Sequence, residues 1–278
     1  MKKILLIFIL QNLFQQLSLA QTDTSTKCNS KIIISIAGGT ATPEGVFGKY
    51  VKDFDADYTK NGNNIAGGAS NGYFAKLDFS YLIHQGFGAT AMVYSSMNSG
   101  KALTQNELQI PSSNALGGGF RIISYSNDTK NWYTNGVLLG IYTEATYNRL
   151  SIDFKFLLGA QQVKSPEAHM YEEGYNWQMG IGVTDYYRTV ETQPSMISYN
   201  LVGNLGIDSR YRFSKRVSVK IGIENFFSQA VFDGNLTYIT DKNFTNGTTG
   251  HSEDQKKIHF TKNVFIFGLS AGISYSIK

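Results

Sequence analysis

Ten charged side chains recur at alternate positions in this chain. Lys76, Lys155, Arg210, Arg212 and Lys220 are five cations; Asp78, Glu144, Asp153, Asp208 and Glu224 are five anions. Most of their immediate neighbours are apolar, as in Ala75-Lys76-Leu77-Asp78-Phe79. Equal numbers of opposite charges on one face suit a closed ion-pair network, because a charge taken out of water must be paired. Catalytic chemistry is harder to find. A nucleophile–base pair needs hydrogen-bond contact and an orienting acid. Of His84, His169, His251 and His259, only the last has local company, in Ser252 and Glu253. No signature accompanies that grouping, so no catalytic residue is assigned and no cofactor is expected. Asp53, Asp55 and Asp57 form an acidic ladder of the kind calcium takes. An EF-hand would require Gly and Glu where Tyr58 and Asn64 stand, so the ladder is noted and no metal site is assigned. Tyr171, Tyr175, Trp177, Tyr186, Tyr187 and Arg188 are residue types enriched at binding hot spots. They suit a partner-binding loop, and equally aromatics resting at lipid headgroups.

The elements that position these residues are strands. Helical periodicity is nearly absent and period two dominates. Eight candidate strands are expected at 31–42, 70–83, 86–97, 133–147, 150–162, 197–213, 217–230 and 262–277. Short turns at His84-Gln85, Asn148-Arg149 and Ser214-Lys215-Arg216 alternate with long connections near 43–69, 98–132, 163–196 and 231–261. The long ones are rich in Asn, Ser, Thr, Gly and Asp, as loops are. Short turns at one end and long loops at the other are the asymmetry of a transmembrane β-barrel, with both termini at the periplasmic end. Segments 115–126 and 175–189 keep strand-like alternation inside the long connections. They would be hairpins rising above an eight-stranded barrel, or two further wall strands making ten.

Two faces separate along each strand. Leu150, Ile152, Phe154, Phe156 and Leu158 oppose Ser151, Asp153, Lys155 and Gly159. A soluble barrel points the apolar face inward; a membrane barrel points it at lipid. Three features favour lipid outside. The strands reach about 12 residues, where a tilted membrane strand needs about 9–11. Aromatics sit at the ends of the apolar face: Tyr81, Phe87, Tyr147, Tyr211, Phe213 and Tyr275 at one, Tyr73, Tyr133, Phe227 and Phe265 at the other. The opposite face carries balanced charge, and an eight-stranded interior is just wide enough for side chains to fill it. The expected barrel is therefore a plug. The closing stretch Phe267–Ile277 must pair with the first strand near Ile32–Ile36, because lipid tolerates no open sheet edge.

Residues 1–20 read as a secretory signal peptide: Lys2 and Lys3, an apolar core from Ile4 to Leu10, and Ser18-Leu19-Ala20 at the cut. Residues 21–30 then form a linker and 31–278 the barrel. Losing Lys2 and Lys3 from 25 basic residues leaves 23 against 21 acidic ones, too near neutral to argue for nucleic acid. A single cysteine, Cys28, excludes a disulfide within one chain. Charged residues make up 17% of the chain, below the roughly 25% of soluble domains.

The succession GYFAKLDFSYLI–HQ–GFGATAMVYSS, GIYTEATYNRLSIDFKFLLGA, LGIDSRYRFSKRVSVKIGIENFF and FGLSAGISYSIK resembles the small bacterial outer-membrane β-barrel proteins, OmpA/OmpX-like and PorT-like. The resemblance covers nearly all of the chain past the signal segment. It implies an all-β, up-and-down transmembrane barrel, delivered to the outer membrane by the assembly machinery and surrounded by outer-membrane lipid. Those barrels usually end on an aromatic residue, whereas this chain ends Tyr275-Ser276-Ile277-Lys278. The expected role is structural or one of cell-surface interaction, through the long loops, with an extracellular protein or host ligand. The competing expectations are a small-solute channel, a lipid A-modifying enzyme and a soluble lipocalin-like carrier.

Overall fold

The computed structural model describes residues 32–48, 68–84, 86–101, 118–178, 182–244 and 247–277. Eleven strands account for nearly all of them. They are β1 (Ile32–Glu44), β2 (Gly68–His84), β3 (Phe87–Lys101), β4 (Gly118–Thr129), β5 (Asn131–Tyr147), β6 (Leu150–Lys164), β7 (Ala168–Gln178), β8 (Gly182–Gln193), β9 (Ile197–Arg212), β10 (Val217–Phe244) and β11 (Thr249–Ile277). A single helical turn, α1 (Gly45–Gly48), follows β1.

Eight strands close a ring in the order β1-β2-β3-β5-β6-β9-β10-β11, every pairing antiparallel. Closure is made by β11 on β1, from Ile32 opposite Ile277 to Glu44 opposite Phe265. No edge remains open in the wall, the condition lipid imposes. The tight turns use left-handed backbone where they must: Gly86 has φ 74° and Asn148 φ 54°, glycine and asparagine being the residues that reach this region at least cost.

The remaining strands add nothing to the wall; they rise above the barrel, the first of the two expectations for 115–126 and 175–189, and they join the far half of β10 in one sheet. Above β5, β4 pairs with β7, which pairs with β8, which pairs with the far half of β10. The registers show what this means. Lys164 of β6 faces Ile197 of β9, and the ladder resumes past a short break with Ala168 of β7 facing Gln193 of β8. Likewise Tyr133 of β5 faces Lys164, and Thr129 of β4 faces Ala168. The columns β4/β5, β6/β7 and β8/β9 are thus long strands interrupted at Lys130, at Ser165-Pro166-Glu167 and at Pro194-Ser195-Met196. Proline cannot donate to a ladder, and the breaks pair with one another instead. Lys130 N donates to Glu167 O at 3.1 Å, Ser165 N to Met196 O at 2.8 Å, and Met196 N to Ser165 Oγ at 2.9 Å.

Five neighbouring columns therefore continue past the barrel as an upper sheet. The hairpin of β10 and β11 is unbroken, with 28 and 29 residues. Beyond Phe227 it runs for roughly 17 more residues, on the order of 55 Å at about 3.3 Å per residue. Positions 168–178, 182–193, 231–244 and 249–261, placed in long connections by the sequence, are strand. The reason lies in the phase of the apolar pattern. Along β10 the outward apolar residues are odd-numbered from Val217 to Phe227, with Val217, Val219, Ile221 and Ile223 exposed, whereas the buried apolar residues of its upper part are even-numbered, at Phe226, Ala230, Phe232 and Leu236. Along β11 they are odd from Phe265 to Ile277 and even at Ile258, Val264 and Ile266. Side chains of opposite parity point to opposite faces, so the apolar face switches from outside to inside where the strands leave the band.

Candidate functional site

Within the ring, the charges of β2, β6, β9 and β10 meet. Asp208 is the hub: Oδ2 lies 2.5 Å from Lys155 Nζ and 2.9 Å from Lys220 Nζ, and Oδ1 lies 3.4 Å from Lys76 Nζ. Glu224 contacts Lys76, and Asp78 contacts Lys220 and also Lys155, the latter at 3.2 Å. Three ammonium groups and three carboxylates so form one lattice, with the side chains of Lys76, Asp208 and Glu224 fully buried. Glycine makes the space. A Cβ on Gly222 would collide with Asp208 Oδ1, and one on Gly206 with Glu224 Oε2.

A second group lies beside the first. Arg210 grips Asp153 with two parallel hydrogen bonds, Nε to Oδ2 at 2.8 Å and Nη2 to Oδ1 at 2.9 Å, and reaches Glu144 Oε2 at 3.1 Å. The fork geometry of guanidinium suits this bidentate grip. Nine of the ten predicted charges thus come together. Arg212 does not: it is half-buried at the end of β9 and makes no ion pair among the described residues.

The interior is polar only in part. Toward the upper sheet it becomes aromatic. Phe226 stacks on Tyr94 at 4.4 Å and meets Phe74 edge-on at 6.1 Å. Trp132, fully buried, packs edge-on against Phe47 of α1 at 5.4 Å and Phe232 at 5.9 Å, with Lys262 Nζ 5.3 Å above its ring. These residues belong to one cluster with Val163, Ala168, Met170, Met196, Leu236 and Ile258. The expectation of a polar filling holds for the charged half, while the other half is a hydrophobic core shared with the inner face of the upper sheet.

The aromatic residues and Arg188 expected in a partner-binding loop sit on that sheet. Tyr175 faces Tyr186 across β7 and β8, with ring centroids 6.1 Å apart. Arg188 lies over the Tyr171 ring at 5.0 Å, and Tyr171 Oη donates to Glu173 Oε2 at 2.9 Å. Tyr186 and Arg188 are exposed, whereas Tyr187 points the other way and is buried. Trp177 belongs to β7, and its side chain lies outside the described residues, as do Cys28 and the ladder Asp53, Asp55 and Asp57.

Among the described residues the histidines do not assemble a catalytic group. Ser252 and Glu253 pair with Thr240 and Ile239, six or seven positions along β11 from His259, roughly 20 Å at strand rise. His259 instead contacts Asp233 Oδ1 at 2.6 Å across the hairpin, and His251 contacts Asp241 Oδ1 at 2.6 Å in the same way. His169 meets Glu167 Oε1 at 3.0 Å and Thr192 Oγ1 at 3.2 Å beside the strand breaks. There Lys130 Nζ also binds Glu167 Oε2 at 2.6 Å, and this hydrogen bond holds the Glu167 carboxyl below its ordinary range. His84 ends β2, exposed.

The outer face completes the picture. Ile36, Leu139, Leu158, Leu201 and Ile221 are among the most exposed side chains of the wall. Aromatics flank this band: Tyr147, Phe213, Tyr211 and Tyr275 toward the short turns, Tyr73, Tyr199, Tyr133 and Phe265 toward the upper sheet. On the β10–β11 hairpin the next outward pair above Phe227 and Phe265 is Gln229 with Asn263, hydrogen-bonded at 3.3 Å. Charges inside, an apolar band of about 11 residues outside and aromatic girdles at both rims define an integral outer-membrane β-barrel of eight strands. The soluble-carrier expectation is overturned, since that fold needs these faces reversed.

No protein-family model and no curated protein matches the chain. Among solved structures it is similar to Ail, the attachment invasion locus protein of Yersinia pestis, with 10% identity, a TM-score of 0.36, and 89% of this chain and 99% of that one covered. It is also similar to Neisserial surface protein A, with 11% identity, a TM-score of 0.39, and coverage of 88% and 97%. A third is a major outer membrane protein from Thermus thermophilus, with 12% identity, a TM-score of 0.36, and coverage of 88% and 98%.

Proposed function

We propose that this barrel is a cell-surface interaction protein. Its upper sheet would face the outside of the cell and carry the contact surface for an extracellular protein or host ligand. One observation carries the reading: five adjacent wall columns continue beyond the girdle as a hydrogen-bonded sheet, while the barrel beneath is filled with paired charge and aromatic side chains. A wall meant only to seal a membrane would end at its rim. The exposed face of the extension, with Tyr186, Arg188 and the Tyr171 ring beneath it, offers flat aromatic area and a cation at low ordering cost. The filled interior supports this over solute passage, and the separation of His259 from Ser252 removes the grouping on which lipid modification rested.

The test is adhesion of expressing cells to cultured epithelial monolayers, comparing wild type, Tyr186→Ala with Arg188→Ala, and a strain without the protein. The double variant should fall to the level of the null strain while surface abundance stays constant. Equal adhesion by all three would overturn the reading.

A further inference from the structure

We infer that the outer wall holds a specific binding groove for one phosphate-bearing, acylated lipid of the outer leaflet. A groove of about 580 Å³ runs across the lipid-facing side of β1, β2, β3, β5, β6 and β9. Its floor is a single row of outward, mutually paired positions: Ala75, Ser95, Asn135, Gln162 and Tyr199. The row below is bulkier along most of its length, with Ile36, Leu77, Val93 and Val137; the row above carries Tyr73, Met97 and Tyr133. Ala75 and Ser95, small between Leu77 and Val93 on one side and Tyr73 and Met97 on the other, open the channel, and the Tyr199 ring closes its far end at β9.

Two features point to a lipid of defined chemistry rather than to whatever lipid drifts past. The first is polarity in the wrong place for bulk hydrocarbon. Gln162 Nε2 donates to Tyr199 Oη at 2.9 Å, while the exposed Asn135 amide and Ser95 hydroxyl have no hydrogen-bond partner among the described residues. Polar groups facing lipid require partners. On β5, Asn135 lies two residues below the girdle Tyr133, or roughly 6–7 Å along the strand. That is the depth at which acyl chains join their headgroup through ester or amide carbonyls, which accept from amide and hydroxyl donors. The second feature is charge. Lys164 is exposed and directly opposite Tyr133, one outward step above Gln162. It stands where a headgroup phosphate would lie. An acyl chain in the groove, its linkage carbonyl on Asn135 and Ser95 and its phosphate on Lys164, satisfies all three.

The leaflet assignment rests on the orientation proposed above; the groove itself does not. The experiment therefore separates them. Delipidated, folded barrel in detergent is titrated with diphosphorylated lipid A, its dephosphorylated form, or phosphatidylcholine, and bound lipid is counted by native mass spectrometry. Wild type should hold one lipid A saturably. Ala160→Phe, which fills the groove wall from an outward position, and Asn135→Leu should each weaken it at least tenfold. Ile221→Phe, on the opposite side of the band, should leave it unchanged. Lys164→Gln should weaken lipid A and not the dephosphorylated form. Phosphatidylcholine held as well as lipid A, or Ala160→Phe binding like wild type, would mean ordinary annular lipid and overturn the inference. Equal loss of both lipid A forms on Lys164→Gln would overturn the phosphate contact. Protease shaving of intact cells reads the orientation independently.

Discussion

Glu224→Leu should unfold this barrel far more readily than its size suggests. The substitution keeps the volume and removes the closest carboxylate of Lys76, leaving that ammonium only Asp208 Oδ1 at 3.4 Å. Asp208 already faces Lys155 and Lys220, so three fully or almost fully buried cations would share two carboxylates. Breaking one partner out of a buried pair costs about 3–5 kcal/mol, because the survivor is stranded out of water. The lower end applies here, since Lys76 keeps one contact, giving about 3 kcal/mol. Lys76→Met alone should cost a similar amount by stranding Glu224, whose carboxylate is ion-paired with Lys76. The double variant Lys76→Met, Glu224→Leu removes one charge of each sign and fills the space with apolar atoms. Replacements of that kind are neutral or stabilising, so it should lie within about 1 kcal/mol of wild type. Urea unfolding of the refolded protein in lipid vesicles reads this directly, with tryptophan fluorescence as signal and Trp132 fully buried. A boiling-dependent gel shift checks that each variant closed. Additive losses, with the double variant near about 6 kcal/mol as the sum of two such penalties, would refute the claim that pairing sustains the lattice.

Planar bilayers containing the purified barrel should show no sustained conductance, since the lumen is filled by the paired charges and the buried aromatic layer beside them. Leu139→Arg, outward and 65% exposed, should cost about 2–4 kcal/mol as a charge placed in hydrocarbon. Asn235→Arg, outward on the upper sheet, should change stability by about 0.5 kcal/mol or less, as surface substitutions do; the same unfolding assay compares the two. Lys130 lowers the Glu167 carboxyl pKa, so their contact is present above the ordinary carboxylate range and is lost as pH falls through the depressed folded value. A carbon-detected NMR titration of Glu167 should show that low midpoint, and Lys130→Gln should return it toward the ordinary range.

The barrel was legible because one period served for all eight spans. Residues such as Leu150, Ile152, Phe154, Phe156 and Leu158 alternate with Ser151, Asp153 and Lys155 whatever their tertiary partners, and the girdle aromatics mark the ends. The charge lattice was legible for the same reason: parity alone sends Lys76, Asp78, Asp208 and Glu224 to one side of a closed wall. The upper sheet was harder. Its outward residues, among them Asp233, Asn235, Asp241 and His259, have the composition of loops. Pro166 and Pro194 interrupt two of its columns. The remaining signal was the change of parity at Phe226, Phe232, Leu236 and Ile258, which reads as the loss of a pattern unless both faces are followed across it. Ser252, Glu253 and His259 failed as a site because nearness in sequence counts for little on an extended strand.

The apolar half of the interior follows from the sheet above it. A β-sheet standing in water needs one face covered, and five strands emerging from a barrel wall have their inner face continuous with the lumen. The cheapest cover is the lumen itself, filled at that end with apolar side chains. Trp132, Phe226 and Phe232 meet this need, and Phe47 on α1 closes over them. Barrel and extension then share one core and should lose structure together. Trp132→Ala lies in the barrel wall, yet it should cost about 3–5 kcal/mol, as buried tryptophan truncations do. It should also speed hydrogen exchange in β7 and β8, which lie beyond the strand breaks. Slow exchange persisting there, with the barrel destabilised, would mean two separate cores and a sheet that stands alone.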